Sequence, residues 1–348
     1  MADAVGAQWA ACVRNMGAWE GSLARYEPDG TFVERTPTVL FIYTDSKDDA
    51  ARVAAGGVPY RLDLMLRRAA RQSDAKQMYF QGVNLAQSGM VYSPGGCLCA
   101  GQAWASPAAA LYVEQNINAC ADGAPPPPSP LAGAVAGAPI VGRARLVTVY
   151  TAEGHLRGLS LFRERPSALN PSAPHPTEVP LEAVATDFPA AAALGTTEAT
   201  PAGLVGIWRG TAVTVTAAGT TSPPSSYVHT VGLSGTALTM TTTGDDGGGG
   251  GSRGDGGGDG GATHTGIVAP GGRLVVVAGG GEAGSPSHLL FLGGGVTALL
   301  PGVRPAGGAF GVELGWLTAA ATRQRVVRRY AADGRWVGSS FLVERRDG

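Results

Sequence analysis

The stretch RARLVTVYTAEGHLRGLSLFRER (residues 143–165) decides the fold, because the chain ends on a second version of it, RQRVVRRYAADGRWVGSSFLVER (residues 323–345). The two stretches align without a gap, and ten of their 23 positions are identical. The identical pairs are Arg143/Arg323, Arg145/Arg325, Val147/Val327, Tyr150/Tyr330, Ala152/Ala332, Gly154/Gly334, Gly158/Gly338, Ser160/Ser340, Glu164/Glu344 and Arg165/Arg345. This agreement indicates an internal duplication.

Two shorter repeats occur in the same order along the chain. GAWEG (17–21) returns as GIWRG (206–210), and the pair Val113-Glu114 returns as Val312-Glu313. Each copy spans about 140–150 residues, which is an ordinary size for one domain. The sequence therefore predicts an N-terminal unit (residues 1–165) and a C-terminal unit (residues 202–348), joined by a linker rich in proline and alanine (166–201).

Both units are predicted to be almost entirely β, with about eight to ten short antiparallel strands in each. The repeated block is itself a hairpin, with turns at Glu153-Gly154 and Asp333-Gly334. Close turns and alternating hydrophobicity favour a sandwich or an up-and-down barrel. A short N-terminal helix precedes the first strand, and its apolar stripe consists of Trp9, Cys12, Val13 and Met16.

The glycine–tryptophan repeats suggest how such a barrel is closed at its base. A tryptophan at the start of the first strand can fill the open end, and an arginine of the last strand can cover its indole by a cation–π contact. This pattern resembles the signature of calycins, the class of lipocalins and fatty-acid-binding proteins. It predicts two structural plugs, Trp19 with Arg165 and Trp208 with Arg345.

Composition and motifs argue against several functional classes. The formal net charge is −1, so no broad basic field points to nucleic acid or an anionic membrane. No apolar run is long enough for a spanning helix, and the first residues do not form a signal or transit peptide. The five histidines are scattered, no nucleophile elbow or phosphate loop occurs, and the expected cofactor and metal content is none.

One polar constellation stands out in each unit. Glu114 precedes the strand that carries Arg143 and Arg145, and a second copy of this arrangement consists of Glu313, Arg323 and Arg325. Adjacent antiparallel strands bring such carboxylates and guanidiniums together. One interpretation is a cross-strand ion pair in the barrel wall. The other is an arginine-lined cavity for an acidic ligand such as a tetrapyrrole propionate or a fatty acid.

Low-complexity segments interrupt the repeats. The segments 124–139 (proline-rich) and 244–261 (glycine-rich) are expected to be loop insertions, and the second is expected to be disordered. The four cysteines, Cys12, Cys97, Cys99 and Cys120, fit no zinc pattern and are expected to be reduced thiols, with a thiol switch as the alternative.

Longer stretches resemble a family shared by cyanobacteria, algae and plants, whose plant members are biogenesis factors for the chloroplast ATP synthase. The N-terminal resemblance lies in QWAACVRNMGAWEGSLARYEPDG, YSPGGCLCAGQAW, YVEQNI and the first repeated block. The C-terminal resemblance lies in LLPGVRPAGGAFGVELGWL and the second block. It implies two calycin-like barrels in the chloroplast stroma, which assist assembly of the soluble catalytic head through its β and γ subunits.

Two functional hypotheses follow. The first is a non-catalytic, chaperone-like assembly factor that uses its outer surfaces. The second is a ligand-binding protein or a lyase similar to the phycobilin lyases. It would hold the tetrapyrrole or fatty acid in a barrel cavity lined by Glu114, Arg143 and Arg145, or by their copies in the second unit. Bulky side chains that fill the barrels favour the first hypothesis, and an open arginine-lined cavity favours the second.

Overall fold

The computed structural model describes ten segments of the chain. They are residues 2–43, 61–68, 71–79, 89–101, 111–120, 140–167, 198–244, 262–278, 286–305 and 308–348. The insertions predicted at 124–139 and 244–261 lie outside these segments except at residue 244, and the linker predicted at 166–201 lies outside them over 168–197.

The N-terminal unit begins with a helix and continues as one antiparallel sheet. The helix α1 (Ala2–Cys12) is followed by a short 3-10 turn (Val13–Asn15). Among the described residues nine strands follow: β1 (Gly17–Tyr26), β2 (Phe32–Tyr43), β3 (Arg61–Arg68), β4 (Arg71–Tyr79), β5 (Val91–Tyr92), β6 (Leu98–Gly101), β7 (Leu111–Ala119), β8 (Gly142–Tyr150) and β9 (Leu156–Pro166). Their order in the sheet is β4-β3-β2-β1-β9-β8-β7-β6-β5, so the first and last strands of the unit are neighbours.

The C-terminal unit is a closed antiparallel barrel. It begins with the helix α2 (Pro201–Leu204), capped by the Thr200 side chain. In the described segments ten strands follow in chain order around the barrel: β10 (Gly206–Thr216), β11 (Ser225–Ser234), β12 (Ala237–Gly244), β13 (Ala262–Val268), β14 (Leu274–Val277), β15 (Ser287–Phe291), β16 (Val296–Pro301), β17 (Phe310–Ala319), β18 (Thr322–Tyr330) and β19 (Trp336–Arg346). The predicted all-β class with two tandem antiparallel units is confirmed.

The duplication is visible in the strand register. Trp19 on β1 lies opposite Pro166, and Trp208 on β10 lies opposite Arg346, the residue that aligns with Pro166 in the repeat. The ring nitrogen of each tryptophan donates to the carbonyl four residues earlier, Trp19 to Asn15 and Trp208 to Leu204, both at 2.8 Å. The two tryptophans therefore occupy equivalent positions, held by the short helical turn that precedes each first strand.

The glycines of the Gly-X-Trp-X-Gly repeat have distinct roles. The first glycine has a positive φ in both copies, 126° at Gly17 and 139° at Gly206, which other residues rarely adopt. The second glycine allows close packing: a Cβ at Gly210 would lie 2.5 Å from the Val343 carbonyl oxygen and 2.9 Å from Cγ of Glu344. A side chain at this position would displace the last strand and the buried glutamate that it carries.

The two units share one hydrophobic core. Opposite residues on adjacent strands share a face, so Ala24, Leu146, Leu161 and Val113 lie on one face of the N-terminal sheet. These residues pack in the same cluster as residues from the outside of the C-terminal barrel: Leu290, Val312, Leu314, Trp316, Val326, Tyr330 and Trp336. The sequence analysis predicted two units joined by the linker at 166–201, and the structure adds this shared core to that connection.

Polar side chains join the units across this inter-unit interface. Gln115 on β7 is fully buried and donates to the carbonyl oxygens of Val312 and Val326, at 2.9 Å each. Arg328 on β18 is also fully buried and donates to the carbonyls of Gly89 and Gly101, at 2.7 and 2.6 Å. Because these donors satisfy backbone groups of the opposite unit, neither unit can separate without exposing unpaired polar atoms.

We expect Gln115→Ala to lower the free energy of unfolding of the whole chain by about 2 kcal/mol, since two interface carbonyls lose their donor. The matched control is Tyr112→Ala, on the same strand at a side chain that is 50% exposed. Calorimetry is expected to show one unfolding transition for all three proteins. A second transition, or equal melting temperatures for both variants, contradicts the shared core.

Candidate functional site

The inner face of the N-terminal sheet holds a buried cluster of two arginines and two glutamates. Glu164 on β9 is fully buried and binds Arg143 at 2.7 Å and Arg145 at 3.2 Å. Arg145 also binds Glu114 at 3.0 Å, and Glu114 is the most exposed member, with 35% of its side chain accessible. The four formal charges sum to zero, so the cluster is an internally neutral ion-pair network.

The C-terminal barrel repeats this cluster residue by residue. Glu344 is fully buried and binds Arg323 in a short contact and Arg325 at 3.0 Å. Arg325 donates two hydrogen bonds to the carboxylate of Glu313, at 2.7 and 2.5 Å, in the bidentate geometry that makes such pairs strong. The four cluster arginines therefore point inward in both units. Arg145 and Arg325 contact the predicted glutamates Glu114 and Glu313, whereas Arg143 and Arg323 contact Glu164 and Glu344.

Glu164 and Glu344 were not among the candidates from the sequence, although both are identical between the repeats. Each lies directly opposite the first arginine of its hairpin, Glu164 opposite Arg143 and Glu344 opposite Arg323. Counting outward from the predicted turn glycines Gly154 and Gly334 would have found this pairing, because a regular hairpin fixes which residues face each other.

The guanidiniums keep both central carboxylates ionised despite their burial. Burial alone would raise the pKa of Glu344, but the charges of Arg323 and Arg325 outweigh it and lower that pKa to about 2. Burial likewise opposes ionisation of Glu164, and Arg143 and Arg145 bring the pKa of Glu164 below its usual value. Both central carboxylates are therefore ionised across the physiological pH range.

The arginines on the tryptophans are not the ones that the sequence predicted. Arg143 lies over the Trp19 ring at 4.0 Å from the ring centre, whereas Arg165 points to the other side and binds Glu20 at 2.8 Å. The reason is strand alternation: Glu164 faces inward, so its neighbour Arg165 faces outward. The prediction of Arg165 as the plug partner is wrong.

The same correction applies to the second copy. Two guanidiniums cover the Trp208 indole, Arg323 at 4.7 Å and Arg346 at 4.6 Å, while Arg345 is exposed on the outside of the barrel. Arg346 in addition donates to the carbonyl of Gly203 in helix α2. The tryptophan therefore lies between one arginine of the buried cluster and one arginine that fastens the end of the last strand to the N-terminal helix of the unit.

Two further polar side chains of the C-terminal barrel were missed from the sequence. His229 is 5% exposed, and its Nδ1 lies 2.8 Å from the hydroxyl of Thr242. Burial and the charges of Arg325 and Arg323 hold the pKa of His229 well below its usual value. Tyr227 lies beside Glu344, and burial raises the pKa of its phenol. Sequence spacing carried no signal for either residue, because each is buried by strands distant in the chain.

The neutral burial of His229 predicts a pH dependence of stability. The unfolded chain binds a proton at this residue below about pH 6.5, and the folded barrel does not, so acidification favours unfolding. We expect the parent to lose about 1.4 kcal/mol per pH unit from this residue below pH 6.5, about 2 kcal/mol by pH 5. His229→Gln is expected to show a correspondingly shallower slope in urea titrations, while the exposed-site control His155→Gln keeps the slope of the parent.

The four cysteines all lie in the N-terminal unit, and the structure describes each of them. All four are buried and none forms a disulfide with another described cysteine, and burial raises the pKa of Cys12 to about 12 and the pKa values of Cys97 and Cys99 above their usual range. Within the segments that the structure describes, no three histidine, cysteine, aspartate or glutamate side chains are grouped as metal ligands.

Helices α1 and α2, of 11 and 4 residues, are both too short to cross a lipid bilayer.

Two family profiles match the chain, one in each unit. Residues 6–168 match the N-terminal domain of unknown function DUF3598, and residues 280–347 match the C-terminal domain of the biogenesis factor required for ATP synthase 1. Together the matches cover more than half of the chain. They include both repeated hairpins and both arginine–glutamate clusters described above.

A solved structure has the same fold. A protein of unknown function from the DUF3598 family of Nostoc punctiforme is 21% identical, with a TM-score of 0.69 over 98% of this chain and 99% of that chain. The S-type phycobiliprotein lyase CPES from Guillardia theta overlaps 42% of this chain and 90% of its own, at 12% identity and a TM-score of 0.32. The second likeness is too low to support an argument. No curated protein matches the chain.

The profiles agree with the resemblance in the sequence, and the Nostoc structure shares the fold over both units together. The chain belongs to the family that joins the ATP synthase biogenesis factor to its uncharacterised DUF3598 relatives.

Proposed function

We propose that this protein is a non-catalytic assembly factor of the chloroplast ATP synthase, which acts in the stroma on the soluble catalytic head and binds its β and γ subunits. The observation that carries the proposal is the match of residues 280–347 to a domain named for ATP synthase biogenesis. The match lies on the C-terminal barrel, over strands β15 to β19. These strands supply much of the inter-unit interface and all of the C-terminal arginine–glutamate cluster.

The state of the arginines supports this choice over a ligand-binding function. A site for a propionate or a fatty acid needs a guanidinium that is available to the incoming carboxylate. In both clusters Arg145 and Arg325 each bind two glutamates, and Arg143 and Arg323 each bind one glutamate and cover an indole. A ligand would have to break a buried ion pair to reach them, at a cost of several kcal/mol on the order of known buried pairs.

An assembly factor needs a contact that forms and then releases, which fits an interface of moderate area with a polar rim. The shared core between the units makes the two barrels one body, so the partner meets a surface whose shape is already set. Such preorganisation reduces the entropic cost of binding. The barrels thus present a fixed platform, and the arginine–glutamate clusters maintain its shape from inside.

Titration calorimetry of the full chain against isolated β and γ subunits tests the proposal. We expect 1:1 binding to at least one subunit. We also expect a variant lacking residues 244–261 to bind equally well, since the glycine-rich composition of this tract predicts no preorganised binding surface. An unrelated acidic protein is the negative control. If neither subunit binds, and a bilin or heme binds with 1:1 stoichiometry instead, the ligand-binding function replaces this one.

A further inference from the structure

A group of arginines lies at the edge of the inter-unit interface, apart from the buried clusters. In the sheet order β2-β1-β9, Arg35 lies opposite Ala24 and Arg163 lies opposite Ser22, so both share the outer face of β1 that is directed to the C-terminal unit. The strand β1 lies between the strands that carry them. Those two strands are therefore two spacings, or about 10 Å, apart, because neighbouring strands are about 4.8 Å apart. Tyr26, on the same face, donates to the Leu292 carbonyl of the other unit.

The C-terminal unit contributes a third arginine to this group. Arg273 precedes β14 and is exposed, and its carbonyl lies close to Gly30 in the turn between β1 and β2. Burial raises the pKa of Tyr26, and the charges of Arg35, Arg163 and Arg273 all oppose that rise. All three charges therefore act on one phenol, although the arginines come from three strands or loops of two different units.

The positive charge of this group is incompletely balanced. In the described part of the chain neither Arg35 nor Arg273 forms an ion pair. Glu198 accepts from the amide of Gly294 with both carboxylate oxygens, at 3.1 and 3.0 Å, and its charge raises the pKa of Arg163. Burial and the charge of Arg35 lower the pKa of Arg163, which shows that the arginines repel one another. A bound anion would relieve this repulsion.

An exposed aromatic ring lies within the same group. Phe32 is 44% exposed, packs edge-to-face on Tyr26 with ring centres 5.9 Å apart, and carries the Arg35 guanidinium 5.8 Å from its ring centre. Arginine and aromatic side chains are the residues most enriched at the centres of protein interfaces. The ring supplies an apolar contact next to a charged one, which a site for a simple ion does not need.

We propose that the outer face formed by Phe32, Arg35, Arg163 and Arg273 is a docking surface for an acidic segment of a partner protein. Its guanidiniums are spread over about two strand spacings and do not converge on one point, so they fit several carboxylates along a peptide better than one phosphate group. Both units contribute to the surface, which exists only because they share a core. This surface does not depend on which protein the partner is, and it is additional to the proposed role in ATP synthase assembly.

Fluorescence anisotropy tests the inference with a labelled dodecapeptide in which the unit Gly-Asp-Glu-Phe-Asp-Glu occurs twice. At low salt we expect the full chain to bind this peptide at least about tenfold more tightly than its asparagine and glutamine counterpart, since each lost charge contact weakens binding. The combined variant Arg35→Gln with Arg273→Gln is expected to lose at least about tenfold in affinity. The lysine pair at the same positions keeps both charges and is expected to lose less than the glutamine pair, since it loses only the guanidinium geometry.

Arg25→Gln is the control for the loss of a positive charge elsewhere on the strand, since Arg25 lies next to Tyr26 on the other face of β1 and its side chain is 57% exposed. Unchanged melting temperatures show that all variants are folded. Absence of peptide binding by the parent, or an equal loss in the Arg25 variant, overturns the inference. Displacement of the peptide by inorganic phosphate below millimolar concentration, at constant ionic strength, also overturns it and assigns a small-anion site instead.

Discussion

Glu344→Gln is expected to lower the free energy of unfolding by about 3–5 kcal/mol, the range found when one member of a buried ion pair is removed. Glu344 is fully buried and is shared by Arg323 and Arg325. The substitution keeps the size of the side chain and removes its charge. Arg325 retains Glu313, but Arg323 is left with a buried guanidinium and no carboxylate, and this uncompensated charge dominates the loss.

Urea unfolding at pH 7 measures the effect, with Glu34→Gln as the control, because Glu34 forms an exposed pair with Arg25. Exposed pairs contribute about 0–1 kcal/mol, so the control is expected to unfold almost as the parent does. If Glu344→Gln unfolds within about 1 kcal/mol of the parent, the cluster does not hold the barrel.

The pH dependence of the free energy of unfolding below about pH 4.5 tests the role of Glu344 independently. The folded-state pKa of Glu344 is about 2, below the ordinary glutamate value, so its contribution is present above the unfolded-state pKa and is lost as the pH falls toward 2. The parent is therefore expected to lose stability between about pH 4.5 and pH 2 through this residue. Glu344→Gln is expected to show a shallower slope over the same window.

Trp208→Ala is expected to destabilise the chain by about 3–5 kcal/mol, the usual cost of truncating a buried aromatic residue. Its side chain is fully buried in the core of the C-terminal barrel, between the guanidiniums of Arg323 and Arg346. The truncation leaves a cavity, removes both cation–π contacts and deletes the hydrogen bond to Leu204 that anchors helix α2. A loss of this size is a large share of the stability of an ordinary protein.

The matched control is Ile207→Ala, one residue earlier on the same strand, where the side chain is 40% exposed. Differential scanning calorimetry compares the two variants, and Trp19→Ala tests the equivalent position in the N-terminal unit. Because the units share a core, each tryptophan variant is expected to lower a single transition of the whole chain. Equal melting of Trp208→Ala and Ile207→Ala contradicts the structural role of the indole.

Local chemistry in the sequence was enough to predict much of the fold. The turn glycines Gly154 and Gly334 adopt φ of 87° and 79°, as the hairpin prediction required. The ten identities between the repeated blocks implied that both hairpins have the same register, and Arg143–Glu164 and Arg323–Glu344 are indeed paired in the same way. These features depend on neighbours within one hairpin, and short-range geometry decides them.

The sequence could not predict which face of each sheet points inward. Period-2 alternation placed Arg143 and Arg145 on one face with Val147, but it left open whether that face is inside or outside. The error at Arg165 and Arg345 has the same origin, since a shift of one residue moves a side chain to the other face. Only the packing of each sheet around its tryptophan, Trp19 or Trp208, determined which face became the interior.

The sequence by itself determined the duplication, the β class, the hairpin turns and the pairing of Arg145 with Glu114 and of Arg325 with Glu313, because each depends on residues that are close in the chain or repeated. The tertiary structure alone decided that the outer faces of the two units form one core, and that His229 and Gln115 become buried. Arg35, Arg163 and Arg273 are likewise brought together from positions far apart. Such contacts join surfaces whose residues carry no common spacing, so their partners become visible only when the chain is folded.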